Sequence, residues 1–148
     1  MAATNAWPEY EETGTYICQP RRSFRPNAEY LGFYAKRQIY PVFPRILAFR
    51  RDIVFDRETI RQLRATNEPE DAQLAEVIER DLNASSRTYA REGTPLQVVL
   101  LDANSGFTLD HPIRHDGRAA WLRGQRYTSS RALKTAPATT EELRAAGG

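Results

Sequence analysis

Hydrophobic and polar positions alternate with period two in several short stretches of this chain, and with helical period in two others. The richest stretch runs over 29–56, EYLGFYAKRQIYPVFPRILAFRRDIVFD, and holds seven of the thirteen Phe and Tyr residues. Tyr30, Gly32 and Tyr34 fall on one side of an extended chain, and Leu31, Phe33 and Ala35 on the other. Aromatic residues suit a pleated, half-buried surface, so 30–35 is a predicted strand. Apolar bulk on both of its sides suits the middle of a sheet or a barrel wall. Lys36, Arg37 and Gln38 turn the chain. Ile39, Tyr40, Val42 and Phe43 resume the pattern, but Pro41 and Pro44 cannot donate ladder hydrogen bonds and place this segment at an edge, bend or bulge. Ile46, Ala48 and Arg50 then alternate with Leu47, Phe49 and Arg51, and Ile53, Val54 and Phe55 follow. The expectation is two or three short strands kinked by proline.

Further strands are predicted at 15–18 (TYIC), 96–101 (LQVVLL) and 119–127 (AAWLRGQRY), with a turn at 102–106. Asp56 is a good N-cap for a helix over 57–65, with Ile60 and Leu63 on its apolar side. Leu74, Val77, Ile78 and Leu82 recur at helical spacing and predict a long helix over 68–91, its start acidic and its outer face charged. A helical turn is expected at 128–134 and a capped final helix from Thr139. Residues 1–13 are small and acidic and read as a flexible N-terminal arm, with Trp7-Pro8 as a docking point. Residues 14–148 read as a single α+β domain. The proline-kinked strands argue for a small mixed, curved β-barrel with two or three flanking helices.

Composition changes this picture little. A chain of 148 residues with 41% hydrophobic and 27% charged residues can bury a substantial core. No apolar run approaches the roughly 20 residues needed to span a bilayer, so no membrane partner is expected. The beginning of the chain lacks the basic and apolar regions of a signal peptide, and a cytoplasmic location is expected. Cys18 is the only cysteine, which excludes an internal disulfide and a multi-cysteine zinc site.

Charge distribution adds more. Between Arg21 and Arg64 there are eleven basic residues against four acidic ones, a surplus of seven. Between Glu68 and Asp81 six acids face Arg80 alone, and from Arg114 to Lys134 six basic residues face Asp116. Two basic blocks flanking an acidic one suit a polyanion-binding face. In the loop QPRRSFRPN, Arg21, Arg22 and Arg25 surround Phe24. Two readings fit: a solvated loop with Phe24 tucked into the core, or a nucleic-acid contact in which arginines hold phosphates and the ring stacks on a base.

Signals for catalysis are weak. His111 and His115 are four apart, but Pro112 and Gly117 oppose a helix there and HExxH is absent, so no metal site is expected. The acidic-x-Lys unit of metal-dependent nucleases is missing, because Tyr34 and Ala132 stand two residues before Lys36 and Lys134. Cys18 lacks a partner histidine nearby and reads as a buried filler. No phosphate-binding glycine loop, GxGxxG or GxSxG occurs, and no cofactor is expected.

The stretch TYICQPRRSFRPNAEYLGFYAKRQIYPVFPRI, with its run YLGFYA followed by an Ile-Pro-rich strand, resembles accessory domains of the PUA-like superfamily, whose relatives include EVE and ASCH domains. The tail RGQRYTSSRALKTAPATTEEL resembles the end of such modules. The resemblance leaves 68–91 unexplained. It implies a small mixed β-barrel that binds RNA, or DNA bearing a modified base, with an aromatic pocket for a flipped base. Carried onto this chain, it implies Tyr16, Tyr30, Phe33 and Tyr34 as pocket residues, with Phe33 the one best explained as core. It implies Arg21, Arg22, Arg25, Arg45, Arg123 and Arg126 as phosphate contacts. The functional expectation is a nucleic-acid-binding module. One alternative is a regulatory or protein-interaction subunit docking through its acidic helix. Another is a small phosphodiester or nucleotide hydrolase using His111, His115 and Asp116.

Overall fold

The computed structural model describes residues 5–84, 91–119 and 125–147. They form an α+β fold of five helices and six strands, the strands arranged in two three-stranded antiparallel sheets. The larger sheet has the order β1 (Thr15–Cys18), β5 (Pro95–Thr108), β4 (Val42–Val54). The smaller has the order β2 (Tyr34–Ala35), β3 (Gln38–Ile39), β6 (Ile113–Arg114). Among the described residues the two sheets do not close into one barrel.

The central strand β5 explains why LQVVLL is apolar without a break. Leu96, Val98 and Leu100 enter one core with Ile17 and the helices α2 (Arg57–Ala65) and α3 (Pro69–Asn83). Val99 and Leu101 enter the opposite core with Tyr16, Cys18, Leu31 and Phe33. A strand covered on both faces has no solvent side on which to place polar residues. A third core joins Ile39 and Ile113 of the small sheet to Leu133 of α4 (Ser130–Lys134) and Leu143 of α5 (Thr140–Ala145).

Helix boundaries follow their caps. The Asp56 carboxylate accepts from the Thr59 amide at 2.7 Å and starts α2. Ser129 caps α4 and Thr139 caps α5, where Glu142 also reaches back to the Ala138 amide. The two helices of the first core are held by Arg64 on Glu79 at 2.6 Å, and α3 is tied to β4 by Arg50 on Asp71 at 2.5 Å.

Several expectations are corrected. Instead of a flexible arm, Ala6–Thr13 form helix α1. It ends at Gly14, whose φ of 66° is the left-handed conformation glycine adopts without strain. Trp7 meets Phe33 at 5.2 Å and Tyr40 at 4.6 Å in T-shaped contacts, so the docking point expected at Trp7-Pro8 packs α1 on the second core. Of the strand expected over 30–35, only Tyr34–Ala35 pairs as one, with a single bridge between Tyr30 and Arg45. Lys36 and Arg37 both take positive φ, the geometry of the tight hairpin turn that joins β2 to β3.

The stretch 29–56 holds three strands, as expected, but the last of them, β4, is thirteen residues long rather than short, and its register against β5 shifts three times. Pro44 sits at the first shift, on the side of β4 away from β5, where its carbonyl accepts from the Leu31 amide and its nitrogen has no N–H to return the bond. The turn expected at 102–106 lies inside β5 at that same shift. Asp102 accepts from the Asn104 amide at 2.9 Å and from the Ser105 hydroxyl, and the strand resumes at Phe107 opposite Phe43. Gly106 passes so close that a Cβ there would collide with the Phe43 carbonyl. Of the long helix expected over 68–91, Pro69–Asn83 is observed and 85–90 lie outside the described residues, as does most of the strand expected at 119–127. No helix among the described residues is long and apolar enough to cross a membrane.

Candidate nucleic-acid interface

Arg25 of the basic loop, Tyr30 and Tyr34 of the first aromatic stretch and Arg126 of the tail line one cavity of about 450 Å³. That volume is in the range of small-molecule sites, roughly 300–1,000 Å³. One wall is the stretch 24–34. The other is 125–130, with Leu133, Leu143 and Arg144 from the last two helices. Phe33 and Phe43, both buried, line it from the core side.

Local hydrogen bonding shapes the first wall. Pro20 and Pro26 bracket a loop that folds on itself through the Arg22 amide to the Gln19 carbonyl at 3.1 Å and the Ala28 amide to the Arg25 carbonyl at 3.0 Å. The chain then lies along the edge of β4: the Ile46 amide donates to the Glu29 carbonyl at 2.8 Å, and the Leu31 amide to the Pro44 carbonyl at 3.1 Å. This fixes Tyr30, whose ring meets Phe107 edge-on at 5.1 Å with the Lys134 ammonium 5.8 Å away over its face. Tyr34 is held by the β2–β3 hairpin and stands 6.4 Å from the His115 ring.

The second wall is joined to the first by Arg25 and Tyr127. The Arg25 backbone amide donates to the Tyr127 hydroxyl at 3.1 Å, and its guanidinium lies 4.5 Å from the centre of that ring. Tyr127 donates in turn to Gln125 at 3.3 Å. The guanidinium thus lies over the ring face, and a guanidinium fork is a group suited to a carboxylate or phosphate.

The remaining predicted residues are distributed elsewhere. Tyr16 is buried in the second core, and its hydroxyl accepts from Arg22 at 2.9 Å. Burial pushes its phenol up to about 12, against the opposing pull of Arg22. Arg22 is thereby a structural partner of Tyr16, whereas Arg21 and Arg45 are exposed outside the cavity wall. Arg123 lies outside the described residues. Phe24 packs its ring on Phe49 at 4.9 Å, as the core reading of its loop expects, and it also lines the cavity. Sequence reasoning missed Tyr127, Glu29 and Arg144 as wall residues. Arg144 belongs to a short capped helix that reads as an ordinary terminus, and nothing local signals where its side chain goes.

The residues considered for catalysis are placed differently. His115 is buried; its Nδ1 lies 3.0 Å from the Thr140 hydroxyl, and its Nε2 donates to the Ala119 carbonyl at 2.6 Å. Thr140 donates to Asp116 at 2.9 Å, which holds that carboxyl below its ordinary range. The trio knits β6 to α5. Cys18 is buried, and desolvation pushes its thiol up to about 11, the reverse of an activated nucleophile. Among the described residues no cluster of His, Cys, Asp and Glu could hold a metal ion.

No protein-family model, curated protein or solved structure matches this chain.

Proposed function

We propose that this protein is a nucleic-acid-binding module that receives a nucleotide in the cavity between 24–34 and 125–130. One observation carries the reading: Tyr30, Tyr34 and Tyr127 share a 450 Å³ cavity with Arg25, Arg126 and Arg144. Aromatic faces stack on any base, each worth about 1–3 kcal/mol, while arginines take the phosphates. The basic surplus of 21–64 gives the approach a favourable field. The resemblance of 15–46 and of the tail to PUA-like accessory domains supports the same reading. With it comes a curved, barrel-like relation between the two sheets and a preference for RNA or for modified-base DNA. A cytoplasmic setting fits this role.

The test is fluorescence anisotropy with labelled single- and double-stranded DNA and RNA, plain and base-modified, at two salt concentrations. If the site neutralises about three phosphates of a single strand, affinity falls on the order of tenfold between about 50 and about 200 mM salt. Tyr34→Ala and Arg25→Ala weaken binding without lowering the melting temperature by more than a few degrees. Absence of binding to every probe at low salt would refute the reading.

A further inference from the structure

His115 is 7% exposed, and its hydrogen bonds fix how many protons its ring needs. Nε2 faces the Ala119 carbonyl at 2.6 Å, and a carbonyl only accepts, so Nε2 carries a proton. Nδ1 faces the Thr140 hydroxyl at 3.0 Å. That hydroxyl has one proton to give, and the Asp116 carboxylate lies 2.9 Å from it as well. With a neutral ring, Nδ1 and Asp116 compete for this proton and one contact goes unmade. An imidazolium satisfies all of them: Nδ1–H donates to Thr140, and Thr140 donates to Asp116. We infer that protonation of His115 closes a clasp between 113–119 and α5, and that the clasp firms the cavity beside it.

The surroundings supply both sides of this switch. Asp116 stays ionised while a histidine titrates, because hydrogen bonding, chiefly from Thr140, holds its carboxyl below the ordinary range. It also accepts from the Glu141 amide, so the chain of bonds ends on the first turn of α5. Arg37, in the turn between β2 and β3, opposes the imidazolium but donates to the carbonyls of His115 at 3.3 Å and Gly117 at 2.7 Å. Tyr34 of β2 meets the ring at 6.4 Å. Arg114 and Glu141 have exposed side chains. Gly117 closes over the ring so nearly that a Cβ there would come within 2.6 Å of it. The link to the cavity rests on the nucleotide reading above: Tyr34 lines it, and so do Leu143 and Arg144 of α5. The extra bond exists only while His115 is protonated, so the clasp is closed at low pH and opens as pH rises through the titration of that ring.

The experiment measures amide exchange in α5, corrected for the intrinsic pH dependence of exchange, between about pH 8 and about pH 5. Protection of Leu143 and Arg144 should rise about tenfold toward low pH, the size expected of one charge-assisted hydrogen bond. Nitrogen NMR of the His115 ring counts its protons in the unaltered protein: Nε2 should be protonated throughout and Nδ1 only at low pH. Thr140→Val and His115→Gln should lose the rise in protection. Thr140→Ser should keep it, as should His111→Gln, which removes the exposed histidine of the same segment. Anisotropy with a labelled single strand then tests the link: the gain in affinity toward low pH should be about fivefold larger in the wild type than in Thr140→Val. Protection of α5 that ignores pH, or a neutral ring protonated on Nδ1, overturns the clasp whatever the protein binds. A pH-responsive α5 in a protein that binds no probe upholds the clasp and overturns the nucleic-acid reading. Binding with the same pH dependence in both proteins overturns the link to the cavity.

Discussion

Gln97 shows how a single residue can work against the fold that contains it. It is fully buried on β5, and neither its amide nitrogen nor its amide oxygen has a hydrogen-bond partner. A buried polar group left unpaired costs about 1–3 kcal/mol. Gln97→Met keeps the volume and removes the penalty, so urea unfolding should show a gain of about 1 kcal/mol or more. Gly106 is the opposite case. Any side chain there drives backbone into backbone at Phe43, so Gly106→Ala should cost more than the roughly 1–3 kcal/mol typical of overpacking, measured the same way. Cys18 gives a chemical check. With its thiol raised and buried, it should resist a thiol reagent at pH 8 in the native protein and react fully in denaturant.

Elements are secured by a few charged ties. Arg91 is buried and meets Glu9 of α1 at 2.6 Å and Asp81 of α3 at 3.1 Å. Removing one partner of a buried ion pair strands the other charge and costs about 3–5 kcal/mol. Arg91→Met should therefore destabilise by about that much, and Asp81→Leu combined with it should recover part of the loss. Asp71 carries a pH signature: hydrogen bonding from Arg50, then from Thr66, holds its carboxyl below the ordinary value. A carboxyl lowered in the folded state contributes stability above its unfolded pKa, and that contribution disappears as pH falls through the folded one. Asp71→Asn should flatten this part of the acid limb of a stability–pH curve.

The same elements explain what sequence could reveal. Helix α2 was legible to the residue because its cap, Asp56 on Thr59, is three positions long. Helix α1 was not, because its reasons lie elsewhere: Phe33 and Tyr40 receive Trp7, and Arg91 receives Glu9. Proline near 44 signalled a bulge correctly. The continuity of β4 and β5 across it depends on a glycine fitting against Phe43, which no period reveals. For the cavity, the resemblance to PUA-like domains pointed to Arg25, Tyr30, Tyr34 and Arg126. Tyr16, implied in the same way, faces the core.

Across the whole molecule, the basic surplus counted along the chain divides between two duties. Arg50 and Arg64 are occupied by acids of α3, so the acidic block is partly answered from within. Arg21, Arg25 and Arg45 have exposed side chains. Arg57 and Arg61 of α2 are exposed as well, but Arg25 lines the cavity, Arg21 shares its loop and Arg45 bridges Tyr30 of its wall, so attraction to a polyanion at the cavity should depend on these three more than on α2. A triple Ala variant at Arg21, Arg25 and Arg45 should flatten the dependence of affinity on ionic strength, whereas Arg57→Ala with Arg61→Ala should leave its slope unchanged.

The hydrogen bond from Arg25 to Tyr127 joins residues 102 positions apart. Closing a loop that long is an entropic cost the chain meets only after its local helices and hairpins are in place. The cavity therefore needs two distant segments in place together, joined along this seam. On gentle warming it should open before the sheet does, with amide exchange at Arg25 rising while that of Val98 and Val99 stays slow. An occupant bridging the two walls would close that seam from inside, so occupancy and the order of these two distant segments should rise and fall together.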